Sequence, residues 1–163
     1  KNKISQNQEN KGKEVVNFSV IEKEETLDEE WVCTISVQCL TILDNMDFLP
    51  KEKWELVPED GIILPKTTVS FSEGETVFDL LLRETKKAKI HFAFRKTPGL
   101  NSAYVEGINN LYEFDVGELS GWVYKVNGEF PSEGSSEYYL KNGDVIEWVY
   151  TCDLGEDVGR SIY

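Results

Sequence analysis

The chain has 163 residues, 40% of them hydrophobic, which is enough to bury one sizeable core and predicts one domain with a tail. Its formal net charge is −13, with 30 acidic against 17 basic residues, and this argues against nucleic acid or anionic lipid as the main partner, because both need a basic surface. The sequence contains no hydrophobic run long enough to span a bilayer as a helix.

Residues 1–30 differ from the rest and are predicted to form a polar, flexible leader or tether. Lys1–Lys13 contains one apolar residue, too few to offset the entropy of an ordered chain. The start at Lys1, without a methionine, is what removal of an upstream leader would leave, and simple trimming would look the same. The candidates for an extra edge strand in this segment are Val15, Val16, Phe18, Val20 and Ile21.

The predicted domain, residues 31–163, begins with a half-buried strand at Trp31–Cys39, where apolar and polar residues alternate. Cys33 and Cys39 are roughly 20 Å apart in an extended strand and cannot bond to each other. Cys152 can therefore pair with one of them at most. In an exported protein we expect Cys39–Cys152; three buried, reduced thiols are the alternative that spacing leaves open.

Residues 40–67 predict a long irregular connection, with a short helical turn near residues 41–46 and an apolar segment at residues 61–64. Asp44, Asn45 and Asp47 place three oxygen-bearing side chains within four residues, which makes them weak candidates for a hard cation such as calcium. Their spacing does not match an EF-hand loop. Capping of a turn is the competing interpretation.

A short strand at Val69 and Phe71 precedes a helix, which Thr76 and Asp79 open with a pattern close to a capping box. A strand follows at residues 90–95, and its His91 is assigned no chemistry because no ligand or catalytic pattern surrounds it. The predicted core stripe of the helix is Val77, Leu80, Leu81 and Ala88, widened by Phe78 and Leu82.

Residues 101–114 predict a hairpin-like excursion with Gly107 and Asn109-Asn110 as turn residues, and further strands follow after it. One helix with five or more mostly antiparallel strands indicates an α+β fold of the β-grasp class. We expect a single sheet with the helix packed across one face.

The segment Leu111–Gly155 is dense in aromatic residues and reads as three strands joined by turns at Asn127-Gly128 and Lys141–Asp144. Trp148 and Tyr150 alternate within the last strand and are predicted to be core. Trp122 follows Ser120 and Gly121, so it can lie at a loop edge over a flat ligand, with core packing as the alternative. The other candidates for ligand contact are Tyr124, Phe130 with Pro131, and Tyr138.

Sequence motifs of catalysis are missing from the chain. It has no G-x-S-x-G, H-E-x-x-H, Walker loop or C-x-x-C, and a single histidine makes a nucleophile–base pair hard to assemble. Paired carboxylates arise by chance in so acidic a chain. The sequence therefore predicts a protein that binds a ligand and is not an enzyme.

Residues 31–159 resemble a bacterial domain family named for the transcobalamin C-terminal domain (domain of unknown function 4430). The resemblance lies in DGIIL, EGETVFDLLLRET and GINNLYEFDVGELSGWVYKVNGEFPSEGSSEYYLKNGDVIEWVYTCDLG. The more distant intrinsic factor and transcobalamin share an ordered pattern, here Trp122, Glu133-Gly134 and Glu137-Tyr138, in the β-domain that closes over cobalamin. The resemblance implies a β-grasp fold and a corrinoid-binding face formed by Ser120, Gly121, Trp122, Tyr124, Phe130 and Tyr138.

Two departures from the family pattern qualify what the resemblance implies. Many bacterial members have cysteine at the positions of Val116 and Ser135, so this chain lacks one disulfide of a family that is exported to an oxidising setting. In the vertebrate proteins a helical barrel supplies the other half of the site. This chain would therefore be a half-site for a cobalamin-like corrinoid, completed by oligomerisation or by a second surface protein.

The family context also implies a location and leaves other functions open. It predicts an extracellular protein on the surface of Gram-positive bacteria, often a lipoprotein with a lipid anchor upstream of the leader. One alternative function is a structural or adhesive module that binds protein or glycan. Another is a calcium-binding surface protein that uses Asp44–Asp47 or Asp153–Asp157.

Overall fold

A computed structural model describes residues 30–161 of the chain. The candidate edge-strand residues, Val15, Val16, Phe18, Val20 and Ile21, lie outside the described residues, as does the leader up to residue 29. The strands are β1 (Val32–Gln38), β2 (Ile62–Ser70), β3 (Phe92–Lys96), β4 (Ala103–Ile108), β5 (Leu111–Tyr112), β6 (Gly121–Val126) and β7 (Val145–Thr151). The helices are α1 (Leu40–Leu43) and α2 (Val77–Lys87), with 3-10 turns at Met46–Phe48, Lys51–Leu56 and Glu156–Val158.

The larger sheet has four strands in the order β2-β1-β7-β6. β1 and β7 run parallel at its centre, and each has an antiparallel neighbour at the edge. The alternation predicted for the first strand is confirmed, because Cys33, Ile35 and Val37 are buried. The mixed α+β class is confirmed as well.

The remaining strands form a second, antiparallel sheet in the order β3-β4-β5, so the single sheet we expected is divided in two. β5 is two residues long and pairs with β4, whereas β6 pairs with β7. Asn109 and Asn110 form the turn between β4 and β5 as predicted, with φ of 55° and 59°, whereas Gly107, the other predicted turn residue, lies within β4. Two consecutive positive φ values are the mark of a tight hairpin turn, in which asparagine is well tolerated.

Helix α2 begins as predicted and buries a different stripe at its end. Thr76 accepts the Asp79 N–H at 3.1 Å, while the Asp79 carboxylate accepts the Thr76 N–H at 3.0 Å, which completes the capping box. Leu82 and Ala88, both predicted to be core, are exposed, and Glu84 and Thr85 are buried instead. The period of the helix explains this difference. Residues 77–78, 80–81 and 84–85 lie on one face of the helix, each pair about one turn after the previous pair, whereas residue 82 lies off that face and residue 88 is the C-cap at the end of the helix.

The connection after β1 is more regular than the sequence predicted. It contains α1 and two 3-10 turns, and β2 then runs for nine residues through Pro65. Proline donates no hydrogen bond, and its presence fits the edge position of β2. Among the described residues, no helix has both the length and the hydrophobicity that crossing a membrane requires.

Candidate functional site

Three of the residues predicted to face a ligand, Ser120, Gly121 and Trp122, are buried. The Trp122 indole N–H donates to the carbonyl oxygen of Leu111 at 2.8 Å, and its ring meets Tyr150 edge-on with centroids 5.2 Å apart. A ring that stacks on a ligand needs an open face, and only 6% of Trp122 is exposed. The structure therefore corrects the loop-edge interpretation of Trp122.

The core positions predicted for Trp148 and Tyr150 are confirmed, since both side chains are buried. They explain why Trp122 is buried too. On β6 and β7, Trp122 lies opposite Tyr150 and Tyr124 lies opposite Trp148, so these aromatic side chains share the core face of the sheet.

The other predicted residues, Tyr124, Phe130 and Tyr138, are half-buried. The Tyr124 hydroxyl donates to the carbonyl oxygen of Glu133 at 2.5 Å, and burial raises the pKa of Tyr124 to about 12. The pKa of Tyr138 is raised as well, first by burial and then by the neighbouring Asp144 carboxylate. Both phenols therefore stay neutral at physiological pH and serve to hold the loop between β6 and β7.

That loop is organised by Asp144, a carboxylate that is 4% exposed. It accepts the Lys141 N–H at 2.9 Å, the Asn127 side-chain amide at 3.0 Å and the Tyr138 hydroxyl at 3.3 Å. Three parts of the loop thus converge on one buried charge. A carboxylate with several donors around it fixes the loop firmly.

Tyr139 is the exposed aromatic of the loop, with 61% of the residue open to solvent. Its backbone is nevertheless fixed, because Tyr139 pairs with Thr76 in an isolated β-bridge. The Leu140 N–H donates to the Glu75 carbonyl oxygen at 2.9 Å, and the Val77 N–H donates to the Tyr138 carbonyl oxygen at 3.0 Å. The loop therefore holds an exposed phenol ring against the start of α2.

Two cavities flank Tyr139, and both are lined by Tyr139 and Gly74. The larger, about 570 Å³, extends to Trp31 and Asn142; the smaller, about 210 Å³, extends to the β3–β4 turn. Gly74 has a φ of 85°, and a Cβ there would meet nothing within 4 Å, so the floor between the cavities is open. We call this surface the aromatic groove, formed by Trp31, Gly74, Leu100, Asn101, Tyr139 and Asn142.

Sequence reasoning missed the aromatic groove, although part of its signal was present. Tyr139 lies in the aromatic-rich segment Leu111–Gly155, and Trp31 lies on the apolar face predicted for the first strand. Trp31 is 37% exposed at the mouth of the groove. The adjacent pair Tyr138-Tyr139 carried a usable signal, because neighbouring residues in extended chain point to opposite sides.

Two of the candidate metal ligands, Asn45 and Asp157, use their side chains to hold turns. Asn45 donates its side-chain amide to the Thr41 carbonyl oxygen at 2.8 Å. The Asp157 carboxylate accepts the Thr151 hydroxyl and also the Cys152 N–H at 2.7 Å. Within residues 30–161, no group of three or more His, Cys, Asp or Glu side chains is placed to hold a metal ion.

His91 also has a structural role. Its Nδ1 accepts the Asn110 N–H at 3.1 Å, and its Nε2 lies 3.1 Å from the Tyr112 hydroxyl. These contacts hold the turn between β4 and β5.

The three cysteines are present as thiols, with Cys33 and Cys39 buried and Cys152 half-buried. Burial raises the pKa of Cys39 to about 12, and the charges of Asp60 and Cys152 raise it further. Burial raises the pKa of Cys33 to about 11. The pairing of Gln38 with Val149 sets the ends of β1 and β7 side by side, so Cys152 lies near Cys39.

We expect Cys39 and Cys152 to pair on oxidation, leaving one of the three thiols free. Thiol titration of the denatured, oxidised chain would then give one thiol, and peptide mapping would join the two segments. A Cys152→Ser variant treated in the same way should retain two thiols. Three thiols in the oxidised parent chain, or a bond to Cys33, would contradict this pairing.

Part of the chain matches a known protein family. Residues 74–152 match the family described as Domain of unknown function (DUF4430). The matched segment runs from Gly74, in the groove, through Tyr139 to the end of β7. No curated protein matches the chain in sequence.

The solved structures that resemble this one include haptocorrin and a protein from Ruminococcus gnavus. Haptocorrin, in a crystal structure of its complex with Cbi, has a TM-score of 0.50 and 14% sequence identity; the match covers 75% of this chain and 25% of the haptocorrin chain. A candidate metal-binding protein from Ruminococcus gnavus ATCC 29149 has a TM-score of 0.43 and 12% identity, with 75% of this chain and 97% of that chain covered. This chain thus spans a quarter of the length of haptocorrin, and at such identity the likeness is one of fold.

Proposed function

Because residues 74–152 of this chain match the family described as a domain of unknown function (DUF4430), we propose that the protein is a non-enzymatic module that binds a corrinoid-class ligand. The proposed binding surface is the aromatic groove. The observation that carries the proposal is the exposed ring of Tyr139 between two cavities, on a backbone held by hydrogen bonds. The fold it shares with haptocorrin, whose structure contains Cbi, supports the choice of ligand class.

The groove suits a flat ligand with a polar edge. The Tyr139 ring offers a stacking face, and its backbone is already held by hydrogen bonds, so little conformational freedom is lost on binding. Trp31 and Leu100 add apolar surface on either side. The amides of Asn101 and Asn142 line the two cavities and can bond to amide groups around a corrin ring.

The groove is open, so it would cover one side of such a ligand. A site that buries half of its ligand gains correspondingly less affinity. We therefore propose a half-site that a second copy or a second surface protein completes. We further propose an exported, surface-attached protein, for which the resemblance to surface domains of Gram-positive bacteria is the support.

Substitution of Tyr139 by alanine is expected to weaken cobinamide binding about tenfold, since it removes the stacking face. Calorimetric titration of the full chain with cobinamide gives the comparison. The matched control is Phe48→Ala, which removes an exposed aromatic from a 3-10 turn outside the groove and should leave binding unchanged. Equal affinity for cobinamide in the parent chain and in Tyr139→Ala would show that the aromatic groove is not the binding surface.

Trp31 supplies an independent optical readout. Its indole is partly exposed at the larger cavity, so bound cobinamide should quench its fluorescence, after correction for the light that the corrin absorbs. The quenching should be much smaller in Trp31→Phe. The absence of heat and of quenching in the parent chain at millimolar cobinamide would reject the corrinoid proposal for this chain alone.

The polar rim of the groove favours one alternative. An exposed aromatic ring beside asparagine, serine and lysine side chains also suits a sugar face or a peptide. A structural or adhesive module would therefore use the same surface. A glycan or peptide that binds the parent chain and loses affinity in Tyr139→Ala, with cobinamide inert, would favour this alternative.

A further inference from the structure

The far end of the larger sheet carries a second surface, distinct from the aromatic groove. β1 starts beside Trp31 in the groove and runs for seven residues, roughly 20 Å, before reaching α1. Three segments meet at that end. The Thr41 hydroxyl donates to the Tyr150 carbonyl oxygen at 2.6 Å, the Leu154 N–H donates to the Leu119 carbonyl oxygen at 2.9 Å, and Lys53 bonds Asp115 at 2.6 Å.

Large apolar side chains are exposed on each of these segments. These side chains come from the connection after β1, the loop before β6 and the turn after β7. Several large apolar side chains exposed close together are typical of a surface that binds a partner. We call this surface the apolar end, formed by Leu43, Phe48, Trp54, Phe114, Leu119 and Leu154.

Two of these side chains occupy backbone positions that favour glycine. Phe114 has a φ of 70° and is 63% exposed; Leu154 has a φ of 50° and is 55% exposed. A bulky residue in the left-handed region is strained, and neither side chain recovers that cost by burial. Fold stability therefore does not explain a bulky apolar residue at either position, and binding of a partner would.

The charge around the apolar end indicates what kind of partner fits. Lys53 is paired with Asp115, and the remaining exposed bases on the described part of these segments are Lys51 and Arg160. The exposed acids outnumber them, and a rim of this charge attracts a cationic partner and repels an anionic one. These acids are Asp44, Asp47, Glu52, Glu55, Glu59, Asp60, Glu118, Asp153, Glu156 and Asp157.

We propose that the apolar end docks a cationic, amphipathic peptide segment of a partner protein. Apolar side chains of the segment pack on Phe114, Leu119 and Leu154, while its lysines or arginines pair with the acidic rim. This interaction is independent of ligand binding in the aromatic groove. The long-range attraction also makes association fast at low salt and slower as salt rises.

The test uses two synthetic amphipathic helices of equal length, one with leucine and lysine faces and one with leucine and glutamate faces. Fluorescence anisotropy with the full chain should show binding of the lysine peptide, weakened by salt, and no binding of the glutamate peptide. The double variant Phe114→Gly, Leu154→Gly should weaken binding at least tenfold. Because glycine tolerates both φ values, that variant should remain folded.

The control is Tyr139→Ala, which alters the aromatic groove and should bind the lysine peptide as the parent chain does. Equal binding of the two peptides, or full affinity in the double variant, would overturn the proposal. Concentration-dependent dimerisation that the double variant abolishes would assign the surface to a second copy instead. Binding to vesicles of anionic lipid in preference to the lysine peptide would also overturn it.

Discussion

Replacement of Trp122 by alanine is expected to lower the free energy of unfolding by about 3–5 kcal/mol, the range for truncating a buried tryptophan. The side chain is almost completely buried against Tyr150, so its loss leaves a cavity in the core. It also leaves the Leu111 carbonyl oxygen without its indole donor. Urea denaturation followed by circular dichroism measures the change.

The control for Trp122 is Tyr139→Ala, whose ring is exposed and whose loss should change the free energy of unfolding by no more than about 0.5 kcal/mol. Comparison of the two variants distinguishes the loss of a core side chain, which lowers stability, from the loss of a binding-surface side chain, which does not. Loss of cobinamide binding in Trp122→Ala alone would be uninformative if that variant is partly unfolded. A Trp122→Ala variant as stable as the parent chain would show that its ring lies outside the core.

Replacement of Asp144 by alanine is expected to lower the free energy of unfolding by about 2–4 kcal/mol, because three donors lose a buried, charged acceptor. The Lys141 N–H, the Asn127 amide and the Tyr138 hydroxyl all point at this carboxylate. The same change frees the loop that carries Tyr139. Under the proposed function, the affinity for cobinamide should fall as well.

Asp153→Ala is the matched control for Asp144. It removes a carboxylate of the same type from an exposed turn, so the free energy of unfolding should move by no more than about 0.5 kcal/mol. The free energy of unfolding of Asp144→Asn should lie between those of Asp144→Ala and Asp153→Ala. The asparagine keeps one acceptor oxygen but places an amide donor against the other donors. Equal stability of Asp144→Ala and Asp153→Ala would contradict the role assigned to this loop.

Local sequence was sufficient for the elements whose geometry depends on neighbouring residues. The alternation in Trp31–Cys39 predicted β1, and Thr76 with Asp79 predicted the start of α2. Asn109-Asn110 and Asn127-Gly128 predicted turns, and all four residues have the positive φ that such turns need. These features rest on hydrogen bonds and steric limits within a few residues of chain, so no distant contact is needed to specify them.

The candidate site could not be located in this way, because exposure depends on which elements lie above a side chain. Trp122 and Tyr139 both lie in the same aromatic-rich stretch, and the sequence favoured Trp122, which follows Ser120 and Gly121, as the exposed one. The pairing of β6 with β7 places Trp122 on the core face, while the bridge to Thr76 turns the Tyr139 ring outward.

The α+β class, the first strand, the start of the main helix and the Asn109-Asn110 and Asn127-Gly128 turns follow from local sequence alone. Tertiary structure decided that the strands form two sheets, that Glu84 and Thr85 are buried while Leu82 is exposed, and that Trp31 and Tyr139 border one groove. The physical reason is the range of the interactions. Capping, alternation and turn geometry act between near neighbours. Burial and the groove depend on residues more than a hundred positions apart in the chain, as in the pairing of β1 with β7 and in the cavity that Trp31 and Tyr139 both line.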